Sequence, residues 1–303
     1  WLGELLLNNL IKPLIEYQLD PKNLITIAKS HIFINNILYA IPFYCESIAL
    51  IYNKNLVKTE PPTNINDFLK LLDSLKSKCY PLSVDINSAY YLLPWYFGFN
   101  GRLALTPAIS ANAKTFIETC NFWLDLNYNK KLMFPIEKFD YTKRISLFSA
   151  NNIAFIIDGP WIIPALKAAK INFGVAKLPF ITSTNRSVAP FITGQIYCIS
   201  NQCKYDEYIE KFLLIISSNE IQTEFARNFG KLPTAKSIYS TINKKDDWLI
   251  LKFYEQLQNG IPMPSNSQMT LLWSVLSQNN LINVFNRKET PTAFVKKYPD
   301  FFK

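Results

Sequence analysis

Residues 41 to 56 read Ile41-Pro42-Phe43-Tyr44-Cys45-Glu46-Ser47-Ile48-Ala49-Leu50-Ile51-Tyr52-Asn53-Lys54-Asn55-Leu56. This is an apolar, strand-like run broken by one carboxylate, Glu46, and closed by the polar turn Tyr52-Asn53-Lys54. A carboxylate in such surroundings must be solvated, paired or used, because an unpaired buried charge is too costly. Either side of it, short apolar strands alternate with amphipathic helices, the pattern of an α/β protein. Strands are expected at Ile37 to Pro42, Ser47 to Tyr52, Pro81 to Val84, Ile153 to Ile157, Phe173 to Leu178 and Gln195 to Ile199. Helical spacing joins Phe68, Leu71, Leu72 and Leu75, then Ile209, Phe212, Leu213 and Ile216, and later Ile250, Phe253, Tyr254 and Leu257.

At 303 residues, 49% hydrophobic and 18% charged, the composition is that of a folded globular chain with room for two domains. The formal charge of +9 is spread over single lysines and pairs such as Lys130-Lys131, Lys244-Lys245 and Lys296-Lys297. Without a basic run, it reads as a solvated Lys-rich surface and not as a nucleic-acid footprint. No apolar stretch reaches the roughly 18 residues of a membrane span. Five cysteines, Cys45, Cys79, Cys120, Cys198 and Cys203, lack C-x-x-C spacing and read as small buried hydrophobes. With a single histidine, His31, no zinc site is expected and that histidine reads as structural. Glycines are too few for a phosphate loop or a dinucleotide fingerprint, so no cofactor, metal or catalytic residue is expected.

The segment around Glu46 resembles the stretch by which bacterial extracellular solute-binding proteins of the maltose-binding type cross from their first lobe to their second. Further segments follow in the same chain order. Pro61-Pro62-Thr63-Asn64-Ile65-Asn66-Asp67-Phe68 is similar to the family's turn into a helix, and Ala89-Tyr90-Tyr91-Leu92-Leu93-Pro94 to its aromatic helix start. Phe148 to Trp161 matches a helix end, a buried strand and a Gly-Pro-Trp turn. Gly230-Lys231-Leu232-Pro233-Thr234 is similar to the glycine-x-x-proline loop. Met263-Pro264, with Gln268-Met269 and Trp273, is similar to the last helix at the cleft.

The resemblance implies a two-lobe, periplasmic-binding-protein-like (type II) α/β fold. Its first lobe would be residues 1–46 and 195–243, its second 47–194 and 244–303, with hinge crossings near 45–49, 191–195 and 243–247. The chain starts within a helix pattern, Trp1 to Leu7, with no cap before it. The family's earlier strands are therefore expected to be lacking. An incomplete first lobe is expected to leave an apolar face or edge near Ile37 to Pro42 and Gln195 to Ile199.

A sugar offers flat C–H faces and a ring of hydroxyls, so its site needs aromatic platforms flanked by carboxylates and amides. The ligand-binding candidates are Glu46, Tyr90, Tyr91, Asp158, Trp161 and Trp273. Trp161 follows Pro160, which suits a first helical turn; the alternative is a core indole under a turn. Trp273 shares helical spacing with Met269, Leu272 and Leu276, a pattern that core residues also give. Tyr90 matches the family's aromatic contact, with Tyr91 the register alternative and packing a competitor for both. Glu46 either bonds ligand or reaches solvent at a strand edge. Asp158 either bonds ligand or caps the turn that Pro160 opens. Ser274 and Ser277 stand where the maltose-binding branch has a tyrosine and an arginine, which weakens the case for long maltodextrins.

The expected function is capture of a sugar, a di- or oligosaccharide, in an interlobe cleft for delivery to the permease subunits of an ABC importer. The implied protein is a monomer at the periplasmic or extracellular face that binds no nucleic acid. The alternatives are a glycosidase using Glu46 and Asp158, which needs two carboxylates at a set separation, or a binder of another small polar solute.

Overall fold

The computed structural model describes all residues except 1, 15–20, 30–31, 106–107 and 265–267. His31 and residues 265–267 of the loop before Trp273 therefore lie outside the described residues. The chain forms two compact units, one of Trp1–Ser47 and Ile192–Ser267, the other of Ile48–Phe191 and Gln268–Lys303. Among the described residues no helix is long and apolar enough to cross a membrane.

The first unit is built on a five-stranded sheet in the order Ile11–Lys12, Phe191–Ser200, Ala40–Glu46, Leu232–Pro233, with Ile261–Pro262 also paired to the Phe191–Ser200 strand. The central pair is antiparallel, with Thr193 opposite Glu46 and Cys198 opposite Ala40, and slips register between Gln195 and Ile196. Successive strand residues face opposite sides, and the sequence obeys this. Ile41 and Phe43 pack with Ile199, Leu213 and Ile216 beneath the helices Asp206–Ser217 and Asn219–Phe229. Ala40 packs the other way with Leu2, Ile11 and Ile32.

The strand expected from Ile37 begins instead at Ala40. Ile37–Leu38 pairs with Phe33–Ile34 in a small hairpin, turned by Asn35 and Asn36 at φ of 52° and 63°. Asparagine is among the few residues that enter this left-handed region readily, and two in succession suit a two-residue hairpin turn. The expectation of an open face holds for only part of the sheet. Ala40, Ile41 and Pro42 are buried, the first two within the clusters just named, whereas Gly194 and Gln195 are exposed. Beside those two lies a cavity of about 610 Å³, lined by Leu5, Pro42, Tyr44, Gln195, Tyr197 and Met263 among others.

Residues 244–267, expected in the second lobe, group with the first unit. The reason is a set of specific contacts. The Arg227 guanidinium donates to both Asp247 oxygens at 2.8 and 3.0 Å, and the rings of Tyr239 and Tyr254 stack 3.8 Å apart. A crossing near 243–247 would break both.

In the second unit the sheet order is Phe173–Ala176, Ala49–Asn53, Ile153–Asp158, Tyr80–Ser83. The last pair is parallel and the others antiparallel. Ala49–Asn53 and Ile153–Asp158 are buried along their whole length, as strands covered on both faces must be. The helix Ile65–Leu75 starts at an Asn64 cap whose side chain accepts from the Asp67 N–H. It lays Phe68 edge-on against Phe155 at 5.1 Å. The helix Ala89–Gly98 buries every residue after Tyr90, so its aromatic sequence is largely core.

Candidate functional site

In the second unit the strand Ile153–Asp158 ends in Gly159 and a short 3-10 turn, Pro160–Ile162. Pro160 suits that first turn because it has no N–H to lose. The turn leaves the Trp161 indole half-buried. A Cβ on Gly159 would lie 2.1 Å from the Trp161 ring atom Cζ3, so no side chain fits between strand end and indole. Tyr90, also half-buried, stands with its ring centroid 6.2 Å from that of Trp161 and 5.7 Å from that of Tyr91. Trp161 and Tyr90 thus form an aromatic surface that keeps some access to solvent.

Behind this surface lies a polar cluster. Arg144, on the helix Tyr141–Ser149, is fully buried and forms an ion pair with the equally buried Asp158. Its guanidinium lies 4.7 Å from the ring centroid of Tyr141 and 5.2 Å from that of Phe139, a cation–π arrangement. Asp158 Oδ1 accepts from the Gly159 N–H at 2.8 Å and from the Tyr91 hydroxyl at 3.1 Å. Burial beside the Asp158 carboxylate pushes the Tyr141 hydroxyl above its ordinary range. Asp85 faces the same guanidinium, and burial pushes its carboxyl above the usual range against the pull of Arg144.

This arrangement corrects the reading of Asp158 as a ligand contact. Its carboxylate has no exposed surface and is fully engaged inside the unit by Arg144, Tyr91 and Gly159. The alternative reading, a helix cap, also differs from what is found, since Gly159 occupies the cap position and no side chain caps the turn. Tyr91 is likewise turned inward, buried and donating to Asp158, so of the two register options only Tyr90 stays partly accessible. Trp273, on the helix Met269–Val275, is half-buried and meets Phe191 edge-on at 6.3 Å.

Glu46 ends the strand Ala40–Glu46 in the first unit, where its side chain keeps 15% of its surface and forms an ion pair with Lys231. The Lys231 ammonium also sits 4.5 Å from the ring centroid of Tyr44. Instead of ending free at a strand edge, the carboxylate is therefore paired. The loop that brings Lys231 there is tightly held. Gly230 closes the helix Asn219–Phe229 at φ 70°, a left-handed cap that glycine adopts without strain. Four residues after Gly230, the Thr234 N–H and then the Ala235 N–H donate to Gln222 Oε1 at 2.8 and 3.2 Å, while Thr234 Oγ1 donates to Pro42 O at 3.0 Å.

Sequence reasoning missed Arg144, Tyr141 and the role of Lys231. The signal for Arg144 was available, since it stands four residues before Phe148 on the buried side of one helix. It is the same anomaly, a charge on an apolar face, that drew attention to Glu46.

With this geometry in hand, comparison with known proteins gives a consistent result. A family model described as bacterial extracellular solute-binding protein matches residues 1–252. The maltotriose-binding protein of Pyrococcus abyssi is 26% identical, over 90% of this chain and 61% of its own length. A maltooligosaccharide ABC transporter solute-binding lipoprotein of Streptococcus pneumoniae is 27% identical, over 90% of this chain and 65% of its own. The chain thus spans less than two thirds of the length of the curated relatives it matches. Among solved structures, the maltose/maltodextrin-binding domain of Bdellovibrio bacteriovorus, bound to maltotriose, superposes with a TM-score of 0.84 at 22% identity. That match covers 98% of this chain and 80% of that one. The fold is therefore the two-lobe type II α/β fold.

Proposed function

The chain belongs to the bacterial extracellular solute-binding protein family, and from that premise we propose that it captures a short malto-oligosaccharide stacked on Trp161 and Tyr90. It then delivers that sugar to the permease of an ABC importer on the outer side of the membrane. The observation that carries this reading is the aromatic surface itself. An indole and a phenol ring 6.2 Å apart, both half-buried, offer the flat faces that sugar C–H groups stack on. Relatives that bind maltotriose and maltooligosaccharides, by their names, support the choice of ligand class.

Within the second unit Trp273 is a further contact in this proposal, and in the first unit Glu46 is the polar candidate. Glu46 suits the task because a partly exposed, charge-paired carboxylate accepts hydrogen bonds from hydroxyls without a full desolvation cost. The proposed protein binds its sugar without breaking a bond. A hydrolytic site needs a second carboxyl able to reach the glycosidic oxygen, and the nominated partner, Asp158, is buried and ion-paired.

Incubation with maltotriose followed by product analysis and a thermal melt tests this. Intact sugar is expected, with stabilisation of about 2.7 kcal/mol at a hundredfold excess over Kd. Release of glucose, or a melt unmoved by sugar, overturns the proposal.

A further inference from the structure

The ion pair between Arg144 and Asp158 is placed where a stability argument alone does not account for it. Both side chains are fully buried, and a buried pair commonly gains nothing over apolar residues of similar size. Arg144 shares the inner side of its helix with Phe148, where an aliphatic side chain would bury as well. Arg144 Nη1 reaches the Ile157 carbonyl at 3.5 Å, one residue before Asp158 on the same strand, and the bonds of Asp158 lead on to the aromatic surface. Asp158 Oδ1 holds the Gly159 N–H, and Gly159 is the residue whose Cα lies against the indole. The same oxygen holds the Tyr91 hydroxyl, and the Tyr91 ring stands edge-on to Tyr90 at 5.7 Å. Tyr141, whose ring faces the guanidinium at 4.7 Å, neighbours both Trp161 and Asp158.

We propose that Arg144 is the positioning residue of the platform: by fixing the Asp158 carboxylate it sets where Trp161 lies against Tyr90, and so sets sugar affinity. The affinity part rests on the proposed function; the placement of the indole does not. Arg144 touches no ligand. Its planar guanidinium puts Nη2 on the Asp158 carboxylate and Nη1 on the Ile157 carbonyl at 3.5 Å, so carboxylate and strand end are held by one rigid group, which a point charge or an apolar chain cannot do.

The test uses the whole 303-residue chain, labelled with fluorotryptophan and observed by fluorine NMR, with the Trp161 signal assigned by Trp161→Phe. In Arg144→Met the Trp161 resonance is expected to shift or broaden while those of the core residues Trp95 and Trp123 stay in place. Maltotriose Kd is expected to rise about fivefold, the loss of roughly 1 kcal/mol of aromatic contact. Because Arg144→Met leaves a buried carboxylate unpaired and can fail to fold, the apolar double variant Arg144→Met/Asp158→Leu is measured beside it. It is expected to fold with wild-type cooperativity and still to show the displaced Trp161 signal.

An unmoved Trp161 resonance in the double variant overturns the proposal, as does equal movement of the Trp95 and Trp123 signals, which would mark general loosening. Failure of both variants to fold contradicts it too, since the pair would then be structural. A wild type that binds no maltotriose removes the sugar reading and leaves the resonance test standing.

Discussion

Replacing Gly159 with alanine is the most specific perturbation of the aromatic surface. The backbone there, at φ −94° and ψ 177°, is extended and accepts any L-residue, so alanine brings no conformational strain. What it brings is a collision. The added methyl would lie 2.1 Å from Cζ3 and 2.2 Å from Cη2 of Trp161. Carbon atoms in contact rest about 3.5 Å apart, so the indole edge must retreat by about 1.4 Å. Since Trp161 is only half-buried, it can move toward solvent, and the stability cost is expected near the low end of overpacking, about 1 kcal/mol. A displacement of this size separates the two rings that the sugar would bridge. Losing an aromatic contact of about 1 kcal/mol raises Kd about fivefold. Titration calorimetry with maltotriose, alongside a thermal melt, gives both numbers on one preparation. Unchanged affinity in a variant whose Trp161 signal has moved would refute the claim that this surface stacks the sugar.

Three further outcomes follow from the first unit. Glu46→Gln is expected to weaken maltotriose binding about tenfold by calorimetry, the worth of one charge-assisted hydrogen bond. Its melting temperature should change little, because Glu46 and Lys231 are both partly exposed. Hydrogen bonds from Arg227 hold the Asp247 carboxyl below its ordinary value of 3.8. The stability this contributes is complete above about pH 4, where the unfolded carboxylate is ionised, and is lost as pH falls through the lower folded value. Melts across that acid range should show the loss in the wild type and a shallower slope in Asp247→Asn. Gly230→Ala, at φ 70°, is expected to cost about 1 kcal/mol in a denaturant melt, because its cap is left-handed.

The architecture could be read from the chain because its signals are local and repeated. The buried strands at Ala49–Asn53 and Ile153–Asp158 are plain apolar runs, and Phe68, Leu72 and Leu75 announce their helix by spacing. The Asn35-Asn36 turn escaped because two asparagines also suit an ordinary loop, and its hairpin strands are only two residues long. The placement of 244–267 was not legible either. It depends on Arg227 meeting Asp247 and Tyr239 meeting Tyr254, pairings between residues 15 to 20 apart that no periodicity encodes.

At the candidate site, the aromatic members were nominated by residue type, since few other side chains suit a sugar face. Tyr91 and Asp158 went astray for one reason. A tyrosine and an aspartate look the same in sequence whether they point outward to a ligand or inward to a buried arginine, and only the orientation of the strand end decides. Arg144, the residue that decides it here, carries a charge where its helix turns inward.

The claim on which the account turns is that the Trp161 surface receives the sugar. Titrating maltotriose into the fluorotryptophan-labelled chain tests it most directly. The account predicts that the Trp161 resonance moves with sugar concentration and saturates, while the Trp95 and Trp123 signals from the core do not respond. Saturable binding that leaves the Trp161 signal where it was would contradict it.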